Sequence, residues 1–174
     1  MTLDGPHRRK NTDSVIDGLL ENNRRYAETF VGMVPLRPAK RLAVVACMDS
    51  RIDVHGILGL RVGDAHVIRN AGGVISPDVI RSLTISQRVT GTREIILIHH
   101  TDCANLGLDE MRFKAELQAE VGFKPDWSFD SFTDIEEDLR QSVLRLRSNP
   151  FIAHTDKVRG FIFDVATGKL AEVL

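Results

Sequence analysis

Two short apolar runs, each closed by a polar cluster, constrain this chain more than any other feature. Ala43, Val44, Val45 and Ala46 lead into Cys47, and Ile95, Ile96, Leu97 and Ile98 lead into His99 and His100. Continuous apolar stretches of this length, bounded by polar residues, read as strands buried on both faces of a parallel sheet. In open α/β sheets, ligands and chemistry gather outside the carboxyl ends of such strands. The clusters Cys47-Met48-Asp49-Ser50-Arg51 and His100-Thr101-Asp102-Cys103 stand at those ends and hold both cysteines of the chain. Two thiols and an imidazole are therefore expected to converge in one crevice.

That donor set suits zinc, which favours a tetrahedral shell of thiolate and imidazole and, in a catalytic site, leaves one position for water. Cys47, His100 and Cys103 supply three ligands for one zinc per chain. A structural zinc module would show four ligands in two close pairs, and the chain has no second CxxC or HxxxH. The competing reading is a Cys47 to Cys103 disulfide or two inert buried thiols, and disulfides are rare in the cytosol. Asp49 and Arg51 follow Cys47 at a spacing that puts all three on one face of an extended segment. A carboxylate there can accept a hydrogen bond from a water on the metal, and a paired guanidinium would hold it in place and ionised. Read blandly, the same two residues are a surface ion pair of little consequence.

The rest of the chain reads as alternating helices and strands. A first helix is expected over residues 14–29, with Ile16, Leu19, Leu20 and Tyr26 on one side. A second strand falls at 65–69, and Ser76-Pro77-Asp78 opens a helix that reaches Val89 before Gly91. A further helix spans 109–121 and stops at Gly122. Thr133-Asp134-Ile135-Glu136 reads as a capping box for a helix striped by Phe132, Ile135, Leu139, Val143 and Leu146. A last core strand is expected at 158–165, with Thr167-Gly168 turning it into an edge strand. The alternation implies an α/β fold, a small mostly parallel β-sheet flanked by helices. Residues 1–174 read as a single domain with a flexible tail at 1–13.

The combination C-x-D-x-R and, some fifty residues later, H-x-x-C resembles the signature of the β-class carbonic anhydrases. Arg69-Asn70-Ala71-Gly72 matches that family's RNAG loop, and the resemblance runs from about Ser14 to the C-terminus. It is nearest the short branch that also includes carbonyl sulfide hydrolases. The resemblance implies that Cys47, His100 and Cys103 are the zinc ligands and that Asp49 and Arg51 are the catalytic dyad. It also implies that Asp49 is the residue able to take the fourth zinc position and shut the site. Where the family usually has Gly after the last zinc cysteine, this chain has Ala104. Were φ positive there, Ala would be strained; were close approach needed, the methyl would narrow the pocket.

Composition adds exclusions. A net charge of -1 offers no electrostatic case for nucleic acid or an anionic membrane. No apolar run approaches the roughly 20 residues of a membrane span, and no apolar region follows the basic residues near the N-terminus, so a cytoplasmic protein is expected. The leading helix has no obvious place on so small a sheet. In the family that helix packs on a partner subunit, and a homodimer or dimer of dimers is what the resemblance implies.

The substrate is expected to be a small neutral molecule attacked by zinc-bound hydroxide, with activity improving on the alkaline side because two thiolates soften the metal. Carbon dioxide hydration leads. Hydrolysis of carbonyl sulfide on the same site is the alternative, and a catalytically silent zinc module stands third. Asp102 is expected to orient its loop, to accept a hydrogen bond from Arg69, or equally to stand as a solvated carboxylate. His99 points away from His100 by strand alternation and reads as a core or supporting residue.

Overall fold

The computed structural model describes residues 14–30 and 32–173, so the expected tail at 1–13 lies outside the described residues. The chain divides after Met33 into two units. The first holds helix α1 (Val15–Glu28), which starts at Ser14, whose hydroxyl accepts from the Ile16 N–H at 3.3 Å. Its apolar stripe is open to solvent, with Ile16 65% and Leu19 57% exposed.

In the second unit five strands form one sheet, in the order β2-β1-β3-β4-β5. The strands are β1 (Leu42–Cys47), β2 (Ala65–Asn70), β3 (Glu94–His100), β4 (Val158–Phe163) and β5 (Leu170–Glu172). All neighbours run parallel except β4 and β5, which are antiparallel. The two apolar runs of the sequence are thus the central pair, β1 and β3, and both faces of that pair are covered. Residues alternate across the faces, as a period of two requires. Ala43, Val45, Ile95 and Leu97 pack with Val79 and Leu83 of α3 (Pro77–Arg88) and with Leu139, Val143 and Leu146 of α5 (Ile135–Arg147). Val44, Ala46 and Ile98 pack the other way, against Ile52, Val54, Val74 and Phe132. Each fully buried side chain of this size contributes about 1.5–3 kcal/mol. No described helix is long and apolar enough to cross a membrane.

The helix boundaries follow capping chemistry. Ser76 caps α3 through the Val79 N–H, and Asp109 caps α4 (Glu110–Val121) through the Arg112 N–H, with Gly122 ending it at φ 83°. Three expectations need correction. The cap of α5 is Asp134 rather than Thr133, because the Asp134 carboxylate accepts from the Glu136 and Glu137 N–H groups. Strand β4 stops at Phe163, because the Asp164 carboxylate turns the chain by accepting from the Ala166 and Thr167 N–H groups. Helix α2 (Val54–Leu58) was not expected, being too short for apolar periodicity. Asp53 starts it through the Gly56 N–H, and Gly59 ends it at φ 62°.

Candidate metal centre

Strands β1 and β3 are sheet neighbours, so their carboxyl ends bring Cys47 and His100 together. Beyond His100 the chain turns through Thr101 and Asp102 and returns Cys103 to the same place. Asp102 makes that turn at φ 57°, a left-handed conformation that costs a residue other than glycine. All three candidate ligands are buried, with Cys47 4%, His100 0% and Cys103 7% exposed.

The sulfurs of Cys47 and Cys103 lie 3.9 Å apart, and the three donor atoms all fall within 4.8 Å of one another. Both cysteines are free, and the sulfurs stand well beyond bonding distance. His100 Nδ1 donates to the Thr101 carbonyl at 2.9 Å, which fixes the ring and leaves Nε2 as a bare acceptor. That Nε2 is buried with no hydrogen-bond partner. A buried lone pair without a partner is costly unless something else occupies it. Tetrahedral zinc with bonds of about 2.3 Å sets two sulfurs roughly 3.8 Å apart, so the donor set and its spacing fit that ion. Burial lowers the pKa of His100, favouring the neutral, ligating form, and pushes the Cys103 thiol up, so a cation is what would draw off its proton.

Asp49 and Arg51 lie beside this cluster, paired as expected. Asp49 Oδ1 accepts from the Arg51 backbone N–H and from Nε, both at 2.9 Å, and Oδ2 accepts from Nη2 at 2.7 Å. The same Oδ2 is 3.9 Å from the unpartnered His100 Nε2. The side-chain bonds from Arg51, followed by its backbone N–H, hold the Asp49 carboxyl well below the usual carboxylate range. Arg51 is held above its ordinary value in turn, first by Asp49 and then by Asp102.

Two contacts differ from the sequence reading. Asp102 takes Arg51 rather than Arg69, with Arg51 Nη1 donating to its carboxylate at 2.7 Å and Nη2 to its carbonyl at 2.8 Å. Arg69 instead donates to two backbone carbonyls, those of Cys47 at 2.9 Å and Asp49 at 2.6 Å. The strand pairing that sets Arg69 opposite Ala46 puts its side chain within reach of the segment after β1. No pattern within one segment shows that register. Gly72-Gly73, a pair of a kind that most often marks a turn, is a contact surface. A Cβ on Gly73 would lie 2.9 Å from the Cys47 nitrogen and 3.1 Å from the Ile98 carbonyl oxygen, at φ 70°. Backbone meets backbone there, and only glycine fits.

Ala104 is exposed, and the non-glycine residues at positive φ among the described residues are Arg41, Asp102 and Asp130. The strain that a positive φ would bring to Ala104 therefore does not arise. His99 is fully buried, stacks on Phe132 with ring centroids 5.2 Å apart, and pairs through Nε2 with Asp138 Oδ2 at 2.7 Å. It belongs to the core and joins β3 to α5.

Residues 42–170 match the family model described as carbonic anhydrase. The chain is 55% identical over 160 residues to β-carbonic anhydrase 1 of Mycobacterium bovis, covering 92% of this chain and 98% of that one. It is 35% identical over 152 residues to a carbon disulfide hydrolase of Acidithiobacillus thiooxidans, covering 75% and 76%. Among solved structures it is similar to a carbonic anhydrase from Streptococcus mutans, with a TM-score of 0.87, 41% identity and coverage of 92% and 98%.

Proposed function

The chain belongs to the β-carbonic anhydrase family, and from that premise we propose that Cys47, His100 and Cys103 hold zinc while Asp49 and Arg51 orient the reacting water. The protein is a zinc enzyme that hydrates carbon dioxide reversibly to bicarbonate. The observation that carries the site assignment is the buried, unpartnered His100 Nε2 set among two thiols, with Asp49 Oδ2 3.9 Å away.

Zinc, when bound, supplies the Lewis acidity that makes water a nucleophile near neutral pH. The ionised Asp49 carboxylate is an acceptor only. Its Oδ2 therefore takes the hydrogen bond of the water and leaves an oxygen lone pair to face the substrate carbon. Arg51 fixes that carboxylate with three hydrogen bonds and keeps it from turning away. Ile52, Val54, Val74 and Phe132 pack around the two thiols. A centre backed by so apolar a cluster suits a small, uncharged molecule that brings no hydrogen-bond donor of its own.

Sulfur analogues of carbon dioxide are the second reading, carbonyl sulfide first among them, and the carbon disulfide hydrolase relative supports it. A side-by-side assay of the zinc-loaded protein on carbon dioxide, carbonyl sulfide and carbon disulfide separates the readings. Fastest turnover is expected on carbon dioxide. Turnover of a sulfur compound with carbon dioxide left untouched would make the second reading the right one.

Residues 1–174 are taken to act as one domain in the cytoplasm, where two free thiols persist. A homodimer is proposed as the assembly, because an exposed apolar stripe of this kind on α1 calls for a cover. Replacing both Leu19 and Leu20 by Glu is expected to shift the protein toward monomer in sedimentation experiments. An unchanged mass would remove α1 from the interface.

A further inference from the structure

Arg69 leaves β2 at its carboxyl end and reaches across to the segment that joins Cys47 to Arg51. Its Nε donates to the Cys47 carbonyl at 2.9 Å and its Nη2 to the Asp49 carbonyl at 2.6 Å. These carbonyls belong to a proposed metal ligand and to the carboxylate that faces it. The Asp49 carbonyl also accepts from the Ile52 N–H at 3.0 Å, so both of its lone pairs are in use. Between the two anchored carbonyls only Met48 intervenes, and its N–H donates to the Asn70 carbonyl at 2.8 Å. The backbone from Cys47 to Asp49 is thereby tied to the end of β2 at three points, two of them from one planar guanidinium.

We propose that Arg69 is a positioning residue for the Asp49–Arg51 dyad, holding the backbone that sets the Asp49 carboxylate beside the ligand cluster; this rests on the roles given above to Asp49 and Arg51. A guanidinium presents its N–H groups at a fixed spacing, which a flexible ammonium does not reproduce. Among the described residues Arg69 has no carboxylate within ion-pair distance, so its charge-assisted bonds are spent on the two carbonyls. Displacement of a reacting group by about 1 Å can cost two orders of magnitude in rate. A clamp on the backbone of the same residue as the carboxylate therefore acts on turnover without touching substrate.

The test uses the zinc-loaded full chain and the variants Arg69→Gln and Arg69→Lys. Arg69→Gln is expected to keep its zinc, to lose about tenfold or more in kcat, and to change KM by less than about twofold. Arg69→Lys, able to restore one of the two bonds, should fall between Gln and the native protein. In an Arg51→Ala background, Arg69→Gln should lower kcat by less than about twofold further, since the dyad it positions is already broken. A readout free of turnover is exchange of the Arg51 Nε proton with water, followed by NMR. It should speed up by about tenfold or more in Arg69→Gln as its bond to Asp49 loosens. Should Arg69→Gln fail to fold, Arg69→Lys carries the same rate and exchange measurements. Native kcat with unchanged exchange overturns the proposal. So does a full further loss on top of Arg51→Ala, or zinc lost in step with activity, which would make Arg69 a support for Cys47 alone. If the native protein fails to hydrate carbon dioxide, the functional reading falls, and the proton exchange still decides whether Arg69 holds the pair.

Discussion

Asp49→Ala is expected to retain zinc and to lose about two orders of magnitude or more in carbon dioxide hydration, the scale seen when a positioned acid–base or orienting group is removed. The three donors Cys47, His100 and Cys103 are untouched by the change, so metal content should stay near one per chain. Arg51→Ala should fall as far, because it removes both side-chain bonds that hold the carboxylate, leaving only the backbone N–H of residue 51, and frees Asp49 to swing toward the metal. The double variant should be little worse than either single one, since both break the same unit. Rates of all three near the native value would reduce the pair to a surface ion bridge. Linkage gives the dyad a pH signature. The folded-state pKa of Asp49 lies below its ordinary 3.8, so the stability it contributes is fully present above that value. It is lost only as pH falls through the depressed value. Asp49 thus stays an anion throughout the neutral range, and an acid limb in kcat/KM at pH 5 or above, should one appear, reports another group.

Cys103→Ser should empty the centre. A serine hydroxyl does not ionise in the range where a thiol can, and two donors alone leave half of a tetrahedral shell open. Substitutions in the groups that merely support metal ligands cost about 10–100-fold in affinity, so loss of a ligand should exceed about 100-fold. Elemental analysis of the purified variant and competition with a chelator read this directly, and activity should vanish with the metal. Full zinc retention would show that the metal lies elsewhere. A Cys47 to Cys103 disulfide in the native protein would say the same.

The central strands and the gathering of Cys47, His100 and Cys103 were legible because each rests on one local signal: an unbroken apolar run, or a thiol and an imidazole at the end of it. The helices were legible where capping residues mark them, as Ser76-Pro77 and Gly122 do. What escaped depends on register between segments. That Arg69 grips the Cys47 and Asp49 carbonyls follows from strand pairing opposite Ala46, and that Asp102 takes Arg51 follows from a left-handed turn. Asp134 and Thr133 can both cap a helix, and the backbone path chooses Asp134. Gly73 shows its purpose only when the backbone of β1 and β3 is seen against it.

The strand order has a kinetic meaning. The polar groups of the site come from segments 47–51, 69–73 and 100–103, at the ends of β1, β2 and β3. Parallel neighbours cannot be joined by a tight turn, so each pairing closes a long loop before any contact rewards it. An unfolded or half-paired chain therefore offers the ion the local His100 and Cys103 pair without Cys47 rather than a cradle. Capture becomes strong only once the middle of the sheet has zipped, and bound zinc then draws the equilibrium toward that finished topology by mass action. Any opening that parts β1 from β3 separates Cys47 from His100, which would make the proposed centre a latch on the sheet as well as the seat of its chemistry.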